Sequence, residues 1–430
     1  MLLDDVVQSQ KAARGGGITS VCSAHPLVLE AALRQAADDG GVALIEATSN
    51  QVDQHGGYTG LTPADFRDLV HDLADGVGLP RDRVLLGGDH LGPNRWRKSA
   101  PDEAMANADD LVAAYVAAGF TKIHLDCSFS CAGDPVPLTD ELVAERAVRL
   151  IRVAEATAER VGLAGEQRYV IGTEVPVPGG AAEALHDLVP TSAEAARTTL
   201  RHHRDTVEAA GLAAVWPRIS ALVVQPAVEF DSTTVVDYDP AGTVELQRVL
   251  DDEPDMVFEA HSTDYQTDAG LAALVRDSWA VLKVGPELTF ALREALFALA
   301  AIEAELVPEP AERSRLPEVV EERMLAEPDQ WQAYYPGDAE EQRIARRYSF
   351  SDRIRYYWPD PTISAAQDRL LANLERTGLP LPLLSQFLPQ QYTRARRGEL
   401  DPTPLACVLD RVRDVLRRYA AACAPTPDDR

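Results

Sequence analysis

Along most of the chain, short apolar runs alternate with longer segments of helical period. The runs fall at residues 18–22, 42–45, 84–86, 122–125, 169–171, 219–224, 256–258 and 281–284. Each is rich in β-branched residues and bounded by glycine, proline or polar residues, as strands buried on both faces are. Residues 63–74, 102–118, 140–160, 192–210, 243–251, 268–277 and 287–305 repeat apolar positions at helical spacing. Capping sequences open several of them, such as Thr62-Pro63-Ala64-Asp65 and Thr139-Asp140-Glu141. Strand–helix alternation implies parallel strands with right-handed crossovers, and eight repeats suit a closed barrel better than an open sheet. The pattern predicts an α/β fold, a TIM-type (β/α)8 barrel over residues 1–305. After Val307-Pro308-Glu309-Pro310 the strand runs stop, and residues 306–430 read as a mainly helical C-terminal extension packed on the barrel or on a neighbouring subunit.

Barrel loops converge on one crevice at the carboxyl ends of the strands. The residues closing each run are therefore the candidate site. They are Cys22 and His25, then Glu46, Asn50 and Gln51, then Asp89 and His90, then His124 and Asp126. Glu174, Gln225, Glu259 with His261, and Lys283 complete the ring. A purely structural barrel has no need of ionisable groups at nearly every strand end, because burying them unpaired is costly. Gly87-Gly88-Asp89-His90 sets a proton carrier beside an imidazole. His90 and His261 each follow an apolar run and read as metal ligands, with Glu174 as an oxygen ligand. That set suits Zn2+, with Ni2+, Co2+ or Mn2+ as alternatives. His124, between Ile123 and Leu125, reads as a structural histidine facing the helices, and His202-His203 as surface residues of a charged helix. His25 reads equally as a rim contact or as packing. Arg95, Arg97 and Lys98 offer a place for a substrate phosphate or simply a solvated loop.

Charge narrows the partners. Lys and Arg number 41 against 68 Asp and Glu, a net charge of −27, which argues against nucleic acid or an anionic membrane. The five cysteines form no CxxC pair and read as reduced thiols. No apolar run approaches the ~20 residues of a membrane helix and no signal-peptide pattern opens the chain, so a cytoplasmic protein is expected. No strand–GxGxxG–helix fingerprint is present, so no nicotinamide cofactor is expected, and there is no GxxxxGK[ST] loop for a nucleotide triphosphate.

Several blocks in one order carry a family resemblance: Ser23-Ala24-His25-Pro26, the run from Ile45 to Gln51, Gly56-Gly57-Tyr58-Thr59-Gly60, and Gly87 to Asn94. Ala118 to Asp126, Gly172-Thr173-Glu174-Val175-Pro176 and Lys283-Val284-Gly285-Pro286 extend it. The chain resembles the non-catalytic (Z-type) subunit family of class II D-tagatose-bisphosphate aldolase, whose members include ketohexose 4-epimerases. The resemblance implies either a metal-dependent epimerase acting on fructose, tagatose or their phosphates, or an accessory subunit of a partner aldolase. Class II aldolases place an Asp-His pair at a barrel strand end and draw zinc histidines from two later strands. Here Gln225 closes the sixth run, so Glu174 and Asp126 are expected to supplement His90 and His261. Inverting C4 of a 2-ketose without a nicotinamide leaves retro-aldol cleavage of C3–C4, with a Lewis-acid metal to stabilise the enediolate. Asp89 is then the expected base, with Glu174 and Asp126 as further acid/base groups. Glu46, Asn50, Gln225, Glu259 and Lys283 are expected to hold the sugar. A homo-oligomer fits this reading as well as an aldolase partner does.

Overall fold

Eight parallel strands close into a barrel in the computed structural model, which describes residues 2–12, 15–173 and 188–425. They are β1 (Ile18–Val21), β2 (Ala43–Thr48), β3 (Val84–Leu91), β4 (Lys122–Leu125), β5 (Arg168–Ile171), β6 (Ile219–Val223), β7 (Val257–Ala260) and β8 (Trp279–Val284). Neighbours in the ring follow chain order, and β8 pairs back onto β1 with Ile18 opposite Val281. This is the TIM-type architecture that the alternation predicts. A two-stranded ladder, Glu229–Phe230 with Val235–Val236, lies outside the ring.

Three departures from the sequence reading have local causes. β3 runs on past its apolar stretch to Leu91, because Gly87 and Gly88 allow side chains to approach the backbone closely. A Cβ on Gly87 would sit 2.6 Å from Glu46 Cγ, and one on Gly88 2.6 Å from Leu91 Cδ1. The segment read as a helix over 243–251 is helical only at Val244–Gln247, flanked by 3-10 turns. A helix at Leu2–Lys11 precedes the barrel, and its Leu3 and Val7 pack into the barrel's apolar interior.

The barrel interior is layered, as alternating inward positions dictate. Ile18, Leu44, Leu85, Val170, Val257 and Val281 form one apolar cluster with Leu3 and Val7. Two residues further along the strands come Ser20, Glu46, Gly87, Glu259 and Lys283, a charged layer. Outside the strands a much larger apolar cluster fills the space between sheet and helices.

Beyond the helix Pro286–Leu306 the described chain is helical without strands. The last helix, Pro404–Cys423, lies against helices Pro26–Asp38, Asp268–Arg276 and Pro286–Leu306. Its Tyr419 hydroxyl donates to the Thr263 carbonyl at 2.7 Å, and Arg418 pairs with Glu287 at 2.8 Å. The C-terminal segment therefore braces the loop that follows β7. No helix among the described residues is long and apolar enough to cross a membrane.

Candidate active site

Three imidazoles converge at the carboxyl end of the barrel. His90, His124 and His261 come from β3, β4 and the end of β7, with ring centroids 4.9–5.1 Å apart and mutually edge-to-face. Each of these histidines and Asp89 offers a ligand atom, all within 4.8 Å of one another. Adjacent residues of a regular strand point to opposite faces, so Asp89 and His90 need a local device to share a site. The pairing register of β3 with β4 slips between Gly88 and Leu91, and His90 adopts φ +50°. That irregularity re-aims the chain where both side chains are used.

A carboxylate occupies one nitrogen of each ring. His90 Nδ1 lies 2.7 Å from Asp126 Oδ2, whose other oxygen accepts from Ser128 Oγ at 2.7 Å. His124 Nδ1 is 2.8 Å from Asp89 Oδ1, and His261 Nε2 is 2.9 Å from Glu259 Oε1. Carboxylate-oriented histidines of this kind are how proteins fix the tautomer of metal ligands. His124 Nε2 is buried with no hydrogen-bond partner among the described residues, the kind of orphan that a metal ion satisfies. Burial pushes the His261 imidazole down to about 3, helped by Lys283, and burial lowers His124 as well, so both stand neutral as ligands must. Burial opposes charge on His90, but Asp89 and Asp126 outweigh it and raise its pKa.

Beneath the rings lies a sealed ion network. Lys122 Nζ is 2.7 Å from both Glu46 and Glu259, and all three are fully buried. Lys283 Nζ is 3.2 Å from Glu46, 3.1 Å from Glu259 and in contact with Asp89. Ser20 Oγ donates to Glu46 at 2.6 Å. Burial alone would depress the Lys283 ammonium, but Asp89, Glu259 and Glu46 hold it well above its usual range. Burial likewise opposes the Asp89 carboxylate, while His90, Lys283 and His124 hold it well below its usual range. Two ammonium groups thus meet three carboxylates (Glu46, Asp89 and Glu259), and a fourth, Asp126, meets His90. Counting the three rings as neutral ligands, two negative charges remain, which one divalent cation would balance; the proton that the raised pKa of His90 favours balances one of them when no ion is held. The donor set and the charge both fit such an ion.

The site opens on a cavity of about 470 Å³. Cys22, His25, Asn50, Asp89, His90, His261 and Lys283 line it, as do Tyr58, Arg355, Tyr356 and Trp358. His25 caps the helix Pro26–Asp38: its Nδ1 accepts from the Leu27 amide at 3.2 Å, and its ring meets Trp358 edge-on at 5.8 Å. With Nδ1 accepting, the proton sits on Nε2, and burial pushes the ring down to about 4. His25 is therefore a neutral hydrogen-bond donor on the cavity wall.

Several expectations need correction. His124 does not face the helices. Lys122 and His124 alternate with Ile123 and Leu125, and it is the apolar pair that packs outward. The ring-forming histidine missing from the sixth strand is thus supplied by the fourth, so no carboxylate is needed to complete a three-histidine set. Inward-pointing Lys122 was the overlooked signal, because a strand lysine needs acidic partners inside. Glu46 and Glu259 do not line the cavity; both are ion-paired with the two lysines below the rings. Asp126 is fully buried behind His90, where it orients the ring. Gln225 turns into its own loop, accepting from the Val228 amide at 2.9 Å. Arg95 pairs with Asp53 at 2.6 Å, and neither it, Arg97 nor Lys98 lines the cavity. His203 is buried, with Nδ1 2.9 Å from the Thr199 carbonyl. Glu174 lies outside the described residues.

Close packing holds this arrangement. A Cβ on Gly92 would sit 1.9 Å from the carbonyl oxygen of Asp126, a backbone atom that cannot swing aside. Gly92→Ala is expected to destabilise the fold by at least the ~1–3 kcal/mol typical of overpacking. Because Asp126 orients His90, bound metal should fall as well. Urea denaturation and metal analysis of the variant check both.

Residues 3–424 match the model of the family described as D-tagatose-1,6-bisphosphate aldolase subunit GatZ/KbaZ-like. A probable tagatose 6 phosphate kinase from Sinorhizobium meliloti is 50% identical in sequence, with a TM-score of 0.87 over 95% of this chain and 100% of that one. A fructuronate-tagaturonate epimerase from Cohnella laeviribosi gives 14% identity and a TM-score of 0.47 over 94% of this chain and 81% of that one. A fructose-bisphosphate aldolase from Campylobacter jejuni gives 15% and 0.44 over 87% and 93%. With nearly its whole length matched, the chain belongs to the GatZ/KbaZ-like family of D-tagatose-1,6-bisphosphate aldolase subunits.

Proposed function

We propose that this protein is a metal-dependent epimerase that inverts C4 of a ketohexose or its phosphate, of the fructose/tagatose type, by retro-aldol and aldol steps. The observation that carries this reading is the three-histidine cluster with Asp89 and Lys283, complete in one chain and open to a sugar-sized cavity. A scaffold subunit has no use for it. His90, His124 and His261 would hold a divalent cation, Zn2+ by its nitrogen ligands. Such an ion supplies Lewis-acid compensation for the negative charge that develops on the ketose oxygens.

The chain's own groups do the rest. Asp89 stands ionised beside Lys283 and accepts the proton of the C4 hydroxyl. The C3–C4 bond then breaks, its electron pair passing to C3 and onto the C2 carbonyl oxygen, and C4 becomes an aldehyde. His25, neutral with its proton on Nε2, offers a hydrogen bond to the freed aldehyde oxygen. Trp358 and Tyr356 close the cavity so that the aldehyde turns without leaving. Re-addition to its other face forms the epimeric C4, and Asp89 returns the proton. Asn50 and Lys283 are the sugar contacts of the original set that line the cavity.

The isolated, metal-loaded chain is expected to interconvert fructose and tagatose, or their 6-phosphates, followed by chromatography of the sugars. Asp89→Asn should lower turnover by about 10²–10⁴-fold, the usual contribution of a positioned base. No turnover of any of these sugars without an added aldolase partner would instead establish an accessory role.

A further inference from the structure

Inversion at C4 moves an oxygen. In the retro-aldol route the C4 hydroxyl loses its proton, the aldehyde turns about the C4–C5 bond, and the new C4 oxygen forms on the other side of the carbon chain. A proton carrier works only within hydrogen-bond reach of its oxygen, about 2.6–3.2 Å. Asp89 cannot follow the oxygen across. Its Oδ1 lies 2.8 Å from His124 Nδ1 and touches the Lys283 ammonium, so the carboxylate is pinned from two sides. Inversion therefore calls for a second proton carrier on the far side of the sugar.

The cavity has two walls of different origin. Cys22, Asp89, Asp264 and Lys283 stand with the imidazoles at or just past the strand ends. Facing the same cavity are Tyr58 and the C-terminal segment with Arg355, Tyr356 and Trp358. His25, which meets Trp358, is a neutral imidazole whose Nδ1 already accepts from the Leu27 amide, and loss of its remaining proton would leave an imidazolate. Burial and the neighbouring Tyr356 push the Tyr58 phenol up, so Tyr58 keeps its proton.

Tyr356 is placed differently. Its hydroxyl accepts from Arg355 Nη2 at 3.1 Å, and the Arg355 and Arg353 guanidiniums stand 4.6 and 4.7 Å from its ring centre. Arginine only donates, so that bond does not use the hydroxyl's own hydrogen, which no described residue accepts. Burial opposes a phenolate, but Arg355 and Arg353 outweigh it and lower the Tyr356 pKa. Asp352 supplies Arg355 with a counter-charge, and Tyr58 meets the Tyr356 ring edge-on at 4.9 Å, which fastens the segment to the barrel rim.

We propose that Tyr356 is a second catalytic acid–base residue of this site, serving the C4 oxygen of one epimer as Asp89 serves that of the other. The proposal rests on the epimerase reading. Asp89 takes the C4 hydroxyl proton as C3–C4 breaks, and the bond's electron pair stays with the C3 fragment. After the aldehyde turns, that pair forms the new C3–C4 bond and the C4 oxygen takes the proton of the Tyr356 hydroxyl. Asp89 returns its proton to the Tyr356 phenolate once product has left. The reverse reaction runs the same steps backwards.

Two measurements test this, one of them without turnover. Replacing Tyr356 by 3-fluorotyrosine in the full, zinc-loaded chain gives a fluorine NMR signal. It should shift on addition of D-glucitol or D-galactitol, open-chain polyols that cannot react, and should titrate at lower pH than free 3-fluorotyrosine. A signal that neither polyol moves, or that titrates no lower than the free amino acid, would overturn the proposal. Tyr356→Phe, which keeps the ring and removes one oxygen, should lower kcat for fructose–tagatose interconversion by about 10²–10⁴-fold. Bound metal should be unchanged and KM should stay within about threefold, since the loss lies in the transition state. A kcat within about tenfold of wild type, or a loss confined to KM, would equally overturn it. A wild type that turns over none of these sugars, while polyol still moves the fluorine signal, would count against the epimerase reading and not against the contact at Tyr356.

Discussion

His124→Ala should strip the protein of bound metal. Its ring stands 5.0 Å from His90 and 5.1 Å from His261, and its Nε2 has no hydrogen-bond partner among the described residues. Removing an outer partner of a metal ligand typically costs about 10–100-fold in affinity, and loss of one of three ligands should exceed that. Metal analysis after dialysis against a weak chelator is expected to find a stoichiometric ion in wild type and almost none in the variant. Asp126→Asn, which keeps the ligands and weakens only the orientation of His90, should show the smaller, outer-partner loss. Far-UV circular dichroism should stay unchanged in both, since the ring replaces no apolar core residue. Full metal retention in His124→Ala would remove the three-histidine assignment, and with it the case for Lewis-acid chemistry.

Lys122→Met should be the most destabilising single change outside the apolar core. The side chain is fully buried, and its ammonium sits 2.7 Å from Glu46 and 2.7 Å from Glu259. Taking away one partner of a buried ion network leaves the others uncompensated, at about 3–5 kcal/mol. Arg149→Ala is the contrast: its pair with Asp109 is exposed and should be worth under about 1 kcal/mol. Because the penalty lies in stranded charge, adding Glu259→Gln to Lys122→Met should restore part of the stability although it deletes a further native contact. Chemical denaturation of the four proteins measures this. A double variant less stable than Lys122→Met would show that the network stabilises through its contacts instead.

The same network marks how far the site was legible beforehand. Asp89, His90 and His261 could be placed at strand ends because each stands just past an apolar run. His124 could not, since the two-residue period of β4 says only that Lys122 and His124 share a face. Which face is the inside depends on closure of the barrel, which brings Glu46 of β2 and Glu259 of β7 to Lys122. Closure of the barrel likewise sets Glu46 and Glu259 below the cavity and not on its wall. A strand-end carboxylate looks like a sugar ligand until a lysine from another strand is found on it.

Arg355 shows the other limit. Within the basic and aromatic stretch after Ser351, nothing local distinguishes it from Arg353 or from the solvated arginines of the neighbouring helix. Only the packing of the C-terminal segment over the barrel mouth brings it to the cavity. Chain periodicity and strand-end chemistry by themselves determined the eight-stranded barrel, the end that carries the site, and Asp89, His90 and His261 within it. These are local properties, written by burial on both faces of each strand and by the residue that ends it. Tertiary structure alone decided the third histidine, the sealed lysine–carboxylate layer and the arginine on the cavity wall. Each of those depends on which distant side chains meet in the barrel interior or at its mouth, and packing between strands and helices far apart in the chain settles that.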